Sequence, residues 1–146
     1  MTFQSDPDQI VWRVHIAAPA SVVYELIATD EGRRRFWAES AIETAGVVTF
    51  VFPDGTTARS RILERRPPHR FSVEYFGSIV VFDLATTGGG ETDVVLTNGG
   101  VAGHERMEVV AGWVSVLMQL KAAAQHGIDL RNHSRERNWS RGYAEN

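Results

Sequence analysis

The 146-residue chain has no cysteine, which excludes a disulfide framework, thiolate zinc sites and thiol nucleophiles. Lysine is nearly missing as well: Lys121 is the single one, and arginine supplies the rest of the basic charge. Neither charge sign dominates. A formal net charge of −3 gives no general attraction to nucleic acid or to an anionic membrane surface. No uninterrupted apolar run reaches the length of a membrane span, so no membrane insertion is expected. The opening Met1-Thr2-Phe3-Gln4-Ser5-Asp6-Pro7-Asp8 lacks a basic region followed by an apolar one, and the expected compartment is the cytoplasm. Repeats, low-complexity stretches and linkers are lacking too. What is present is ordinary globular composition, 43% hydrophobic and 23% charged, at a length that suits one domain with a substantial core.

Ile10-Val11-Trp12-Arg13-Val14-His15-Ile16 alternates with period two and predicts a strand. Pro19 suits a first helical turn, and Val22, Val23, Leu26 and Ile27 form a helical stripe behind it. Thr29-Asp30-Glu31-Gly32 interrupts that helix, with Asp30 the expected cap of a second short one carrying Arg33-Arg34-Arg35-Phe36-Trp37. Strands are expected at 40–45, 47–52, 57–65, 70–76, 79–86 and 92–98. The turn signals Gly46, Pro53-Asp54-Gly55, Pro67-Pro68 and Gly88-Gly89-Gly90 separate several of them. A helical pattern runs from about His104 to His126, and Gly127 is its natural stop. The expected order is β-α-α-β6-α: one domain over 1–127 with a tail over 128–146.

The strand–Ala-Pro–helix opening, Phe36-Trp37, Glu64-Arg65-Arg66-Pro67-Pro68 before Phe71-Ser72-Val73-Glu74-Tyr75, and the Gly112-Trp113…Leu117…Leu120 helix fall in a telling order. Over about 8–126 this set resembles the bacterial activator-of-Hsp90-ATPase-like family of the START-like, or SRPBCC, superfamily, which includes the Bet v 1-like branch. The resemblance implies an α+β fold in which a curved antiparallel sheet grips the last helix around a deep apolar cavity. It does not imply one activity, since the superfamily spans lipid carriers, receptors, cyclases and co-chaperone domains.

Strand phase selects the expected cavity lining: Trp12, Val14 and Ile16, then Phe71, Val73 and Tyr75, then Val80, Phe82 and Leu84, then Val94, Leu96 and Asn98. From the last helix Met107, Val110, Val114, Leu117 and Met118 are expected to complete it, so that Val114→Trp would fill the cavity. Phe36 and Trp37 are expected at its mouth, with Arg33-Arg34-Arg35 on a solvated helix face. Asn98 stands where the resemblance implies histidine. It would either orient a ligand carbonyl or hydroxyl or satisfy the Gly99-Gly100 turn, and it cannot titrate near neutral pH.

His15, Glu74 and Asp83 fall on the outward phase, and His104, His126 and His133 lack tight ligand spacing. No catalytic residue, metal ligand or cofactor is therefore expected. Tyr75 is the best inward polar group, with His104 and Glu105 at the helix entrance. The tail interleaves arginine with aromatics, but its acidic residues argue against nucleic acid. Leu130, Trp139 and Tyr143 are expected to dock it on the protein's own surface or on a second subunit, as in a homodimer. The leading expectation is a binder of a small apolar molecule, lipid or polyketide-like. The alternatives are a cyclase- or aromatase-like enzyme and a co-chaperone-like interaction protein.

Overall fold

The computed structural model describes residues 3–146. Its elements are β1 (Gln9–Ile16), α1 (Ala20–Ala28), α2 (Asp30–Arg34), β2 (Ser40–Thr44), β3 (Val47–Val51), β4 (Thr57–Arg66), β5 (Arg70–Tyr75), β6 (Ser78–Thr86), β7 (Thr92–Gly99) and α3 (Arg106–His126). The strands form one antiparallel sheet in the order β1-β7-β6-β5-β4-β3-β2. The chain thus meanders from β2 to β7, and β1 closes the far edge beside β7. A register shift between Ile62 and Glu64 interrupts the β4–β5 ladder, and such bulges increase local twist and bend. Gly127 ends α3 in the left-handed conformation, φ 64°, where a residue with a Cβ is disfavoured.

Three local readings differ from expectation. Thr29, not Asp30, caps α2. Its hydroxyl donates to Glu25 O at 2.6 Å and accepts from Gly32 N–H at 3.0 Å, closing one helix and opening the next. Val22 is exposed, and Tyr24 takes its place in the buried stripe of α1. The helices cross so closely at Gly32 that a Cβ there would stand 2.3 Å from Glu25 O, so only glycine fits.

The third difference is Arg33, which is fully buried rather than solvated. Nε and one terminal nitrogen donate to Ala41 O at 3.0 and 2.9 Å, and the other terminal nitrogen donates to Ile27 O at 3.3 Å. The Asp30 carboxylate accepts from Arg33 at 2.6 Å and from Glu43 N–H at 3.0 Å. Burial pushes the Arg33 guanidinium below its ordinary value, opposed by Asp30 and Glu43. A run of like charges carried no sign that its first member would bolt α2 to β2.

Inward strand phase is as expected: Ile10, Ile16, Phe71, Val73, Val80, Phe82, Leu84, Val94 and Leu96 are buried, with Trp12 and Val14 packed against them. Outward, His15 lies beside Glu91 and Asp93, Glu74 pairs with Arg61, and Asp83 pairs with Arg70.

The phase of α3 is as expected only in part. Met107, Val114 and Met118 are 86%, 41% and 49% exposed. Leu117 is buried as expected, and it shares the buried stripe with Trp113, Leu120 and Ala123. Apolar residues surround this helix on every side, so periodicity alone could not select the buried face. By length and composition α3 is long and apolar enough to cross a membrane, a property that the core helix of a globular domain shares.

Candidate functional site

The inner faces of the strands do not enclose a deep hollow. Phe71, Val73, Val80, Phe82 and Leu96 are packed core, and so is Phe36, which lies off the cavity mouth where it was expected. Trp37 joins this core as the hub of an aromatic cluster. Its ring centroid lies 4.8 Å from Phe50, 5.5 Å from Tyr75 and Phe82, and 6.1 Å from Trp113. Val110 is partly buried, and its carbonyl accepts from Trp12 Nε1 at 2.9 Å.

A cavity of about 600 Å³ opens instead at one end of the grip. Trp37, Tyr75, Asn98 and Trp113 meet it from the core. Phe52 to Thr56 and the Phe76-Gly77 turn wall one side. The turn after β7 and the Glu105, Glu108, Val109, Gly112 and Val116 face of α3 wall the other. Trp139, Ser140 and Asn146 of the tail complete it. Of the expected lining, Trp37, Tyr75 and Asn98 are brought together here. Met107, Val114 and Met118 point away, so Val114→Trp would place its ring on the surface. Phe52 and Phe76 were missed because strand phase says nothing about turns, and Glu108 and Gly112 because the face of α3 that meets the cavity is not the expected one.

The Asn98 side chain bonds across to β6 and α3 rather than to the Gly99-Gly100 turn. Its amide donates to Ser78 Oγ at 2.8 Å and Ile79 O at 3.1 Å, and its Oδ1 accepts from Trp113 Nε1 at 2.9 Å. Both amide hydrogens are committed, and the residue ties β6 and β7 to α3. The Tyr75 hydroxyl accepts from Trp37 Nε1 at 3.2 Å, while its own hydrogen has no acceptor among the described residues. Burial pushes the phenol well above its usual range, so it stays a neutral donor. His104 is exposed, 3.8 Å from Glu105.

The tail lies against the protein's own surface, held by Arg131 and, of the three residues expected to dock it, by Trp139. Leu130 and Tyr143 are exposed. Arg131 is buried and donates to Ala38 O at 2.8 Å, to Arg34 O at 2.6 Å and to both oxygens of Asp129. Trp139 donates to Glu108 at 2.8 Å. His133 sits between Glu39 and Asp129. Burial pushes Asp129 up, but hydrogen bonds from Arg131 and then His133 bring it down to about 2. For His133, burial lowers the imidazole, yet Glu39 and Asp129 outweigh it and the net shift is upward.

The linkage follows from these signs. The Asp129 contribution is present above its ordinary 3.8 and lost as pH falls toward 2. The His133 contribution is present below its ordinary 6.5 and lost as pH rises through its raised value. Amide exchange over 128–146, followed from pH 6 to pH 9 and corrected for intrinsic rates, is expected to lose protection as pH rises. His133→Gln should abolish that dependence. Protection unchanged across the range would overturn the reading.

A curved antiparallel sheet closed on a C-terminal helix, with a cavity at one end of the grip, defines a helix-grip protein of the START-like class. The family model for activator of Hsp90 ATPase homolog 1-like protein matches residues 17–125, and the chain belongs to that family. No curated protein matches it. Among solved structures, protein SSP2350 from Staphylococcus saprophyticus is 18% identical, with 82% of this chain and 93% of that one covered at a TM-score of 0.71. The Aha1 dimer from Colwellia psychrerythraea is 20% identical, with 82% and 97% covered at 0.73. DynU16, from the dynemicin biosynthetic locus, is 19% identical, with 82% and 48% covered at 0.69. Identities this low carry the fold alone.

Proposed function

We propose that this chain is a cytoplasmic binding protein for a small, largely apolar molecule held in the end cavity. One observation carries the reading: about 600 Å³ of space ends on packed aromatic rings and a Tyr75 hydroxyl hydrogen without an acceptor. That volume suits a small organic ligand, and an aromatic inner end with a placed polar donor is the usual makeup of the part of such sites that holds an apolar body. Tyr75 is a donor to a ligand carbonyl or ether, not a proton shuttle, because it lacks a carboxylate or imidazole partner that would lower its pKa. An enzyme that shapes a folded substrate, as a cyclase does, would use the same cavity. The exposed Met107, Val114 and Met118 stripe favours a second reading, in which a protein partner or second copy covers α3.

Gly112 supplies the test. A Cβ built there meets only Trp139, at 3.8 Å, so the backbone accepts a side chain's first carbon at the cavity wall. Gly112→Phe is expected to reduce binding of the neutral probe N-phenyl-1-naphthylamine by at least about ten-fold while the urea midpoint holds, because the ring takes ligand space. Tyr75→Phe should weaken a ketone-bearing naphthalene probe about five-fold, the worth of one hydrogen bond. Full probe binding by Gly112→Phe would reject the cavity as the site.

A further inference from the structure

Resting on that reading, we infer that the cavity selects an organic cation: a tertiary or quaternary ammonium group at the mouth, on an apolar body that reaches inward. The polarity of the walls changes with depth. The inner end is neutral, made of the buried Trp37, Trp113 and Asn98 with the Tyr75 hydroxyl. The outer end carries the carboxylates of Asp54, Glu105 and Glu108, and among the described residues no Lys, Arg or His lines the cavity. Hydrogen bonds from Thr56 hold the Asp54 carboxyl below its usual range, with a smaller contribution from Arg135. The Arg135 guanidinium lies over neighbouring Gly55 and offsets that charge. Glu105 and Glu108 have no such guanidinium. Glu105 faces only His104, at 3.8 Å, and Glu108 accepts from the neutral indole of Trp139 at 2.8 Å.

Aromatic faces share the outer lining of the cavity with these carboxylates. Trp139 is fixed by Glu108, and Phe76 stacks on Phe52 with centroids 5.8 Å apart. Phe76 is 57% exposed and sits at φ 48°, next to Gly77 at φ 77°. A two-residue hairpin of this kind favours Asn-Gly, and a bulky residue at positive φ is an uncommon, strained choice. Strain of this sort persists where the side chain has a use, and here the ring extends the aromatic lip. Indole and phenyl faces attract ammonium groups, most strongly where water is partly excluded. Carboxylates at the same mouth add a directional Coulomb attraction. An anionic headgroup would meet repulsion from Glu105 and Glu108, and a neutral one would supply neither with a countercharge.

The test uses the full chain and three matched probes: 3-phenylpropyltrimethylammonium, its uncharged isostere with tert-butyl in place of trimethylammonium, and 4-phenylbutyrate. Binding is read from quenching of Trp37, Trp113 and Trp139 at low salt, with calorimetry as a check. The ammonium probe is expected to bind about ten-fold more tightly than the isostere, and the carboxylate least. Glu105→Gln/Glu108→Gln keeps the hydrogen-bonding shape and should bring the ammonium and neutral probes within about three-fold. Phe76→Asn suits the positive φ, so it should fold at least as well and still lower ammonium affinity about three-fold. A neutral or anionic probe that binds as tightly as the ammonium would overturn the cation inference and leave the ligand-binding reading standing. No binding by any of the three, with N-phenyl-1-naphthylamine also excluded, would overturn both.

Discussion

Arg33→Ala is expected to destabilise the protein by about 3–5 kcal/mol, in the range for breaking a buried charged contact or opening a large core void. The substitution strips Ala41 O of two donors and Ile27 O of one. It also removes one of the largest fully buried side chains. A domain of this size has about 5–15 kcal/mol in total, so much of its margin would go. The denaturation midpoint should fall by about 10 °C. Arg33→Met, which keeps volume and loses the hydrogen bonds, should recover part of the difference. Asp30→Asn should cost less, because that carboxylate is half exposed and water replaces its contacts. If Arg33→Ala melts within two degrees of the parent, the bolt between α2 and β2 carries no stability. Calorimetry of the three variants decides it.

The second large effect is expected at Asn98. Asn98→Leu retains about the same volume and deletes the contacts to Ser78, Ile79 and Trp113. The Trp113 indole N–H, buried against the sheet, is then left without its acceptor. A buried polar group that loses its partner costs about 1–3 kcal/mol, and the bonds to Ser78 and Ile79 are lost as well, so a total of about 2–4 kcal/mol is expected. Urea unfolding followed by tryptophan fluorescence should show a lower midpoint with an unchanged slope, since the surface exposed on unfolding is the same. A midpoint equal to the parent would mean that the amide contributes nothing net.

These two residues show how differently sequence and structure carry information. Asn98 was visible as a polar residue ending an inward strand face, and its burial follows from period-two alternation alone. Its partners were not visible, because Trp113 lies on another element whose rotation the sequence left open. Arg33 was hidden completely. In a chain of three arginines no local rule selects the buried one. The selection comes from the turn at Thr29 and the close crossing at Gly32, which aim that one side chain at the carbonyls of β2.

The order of elements, the strand boundaries to within a residue or two, the inward strand faces and the glycine stop of α3 were all determined by local patterns. Turn chemistry and alternation act over a few residues, and nothing in the fold overrides them. The rotation of α3, the end cavity and the seat of the tail were decided only in three dimensions. An apolar-all-round helix can bury any of its faces, so the sheet's curvature chooses the Trp113–Leu117–Leu120 face and leaves Met107, Val114 and Met118 outside. The cavity exists because two turns and a tail, distant in sequence, converge beyond the packed strands. No periodicity encodes that convergence, since it depends on where the buried Arg131 guanidinium finds the carbonyls of Arg34 and Ala38.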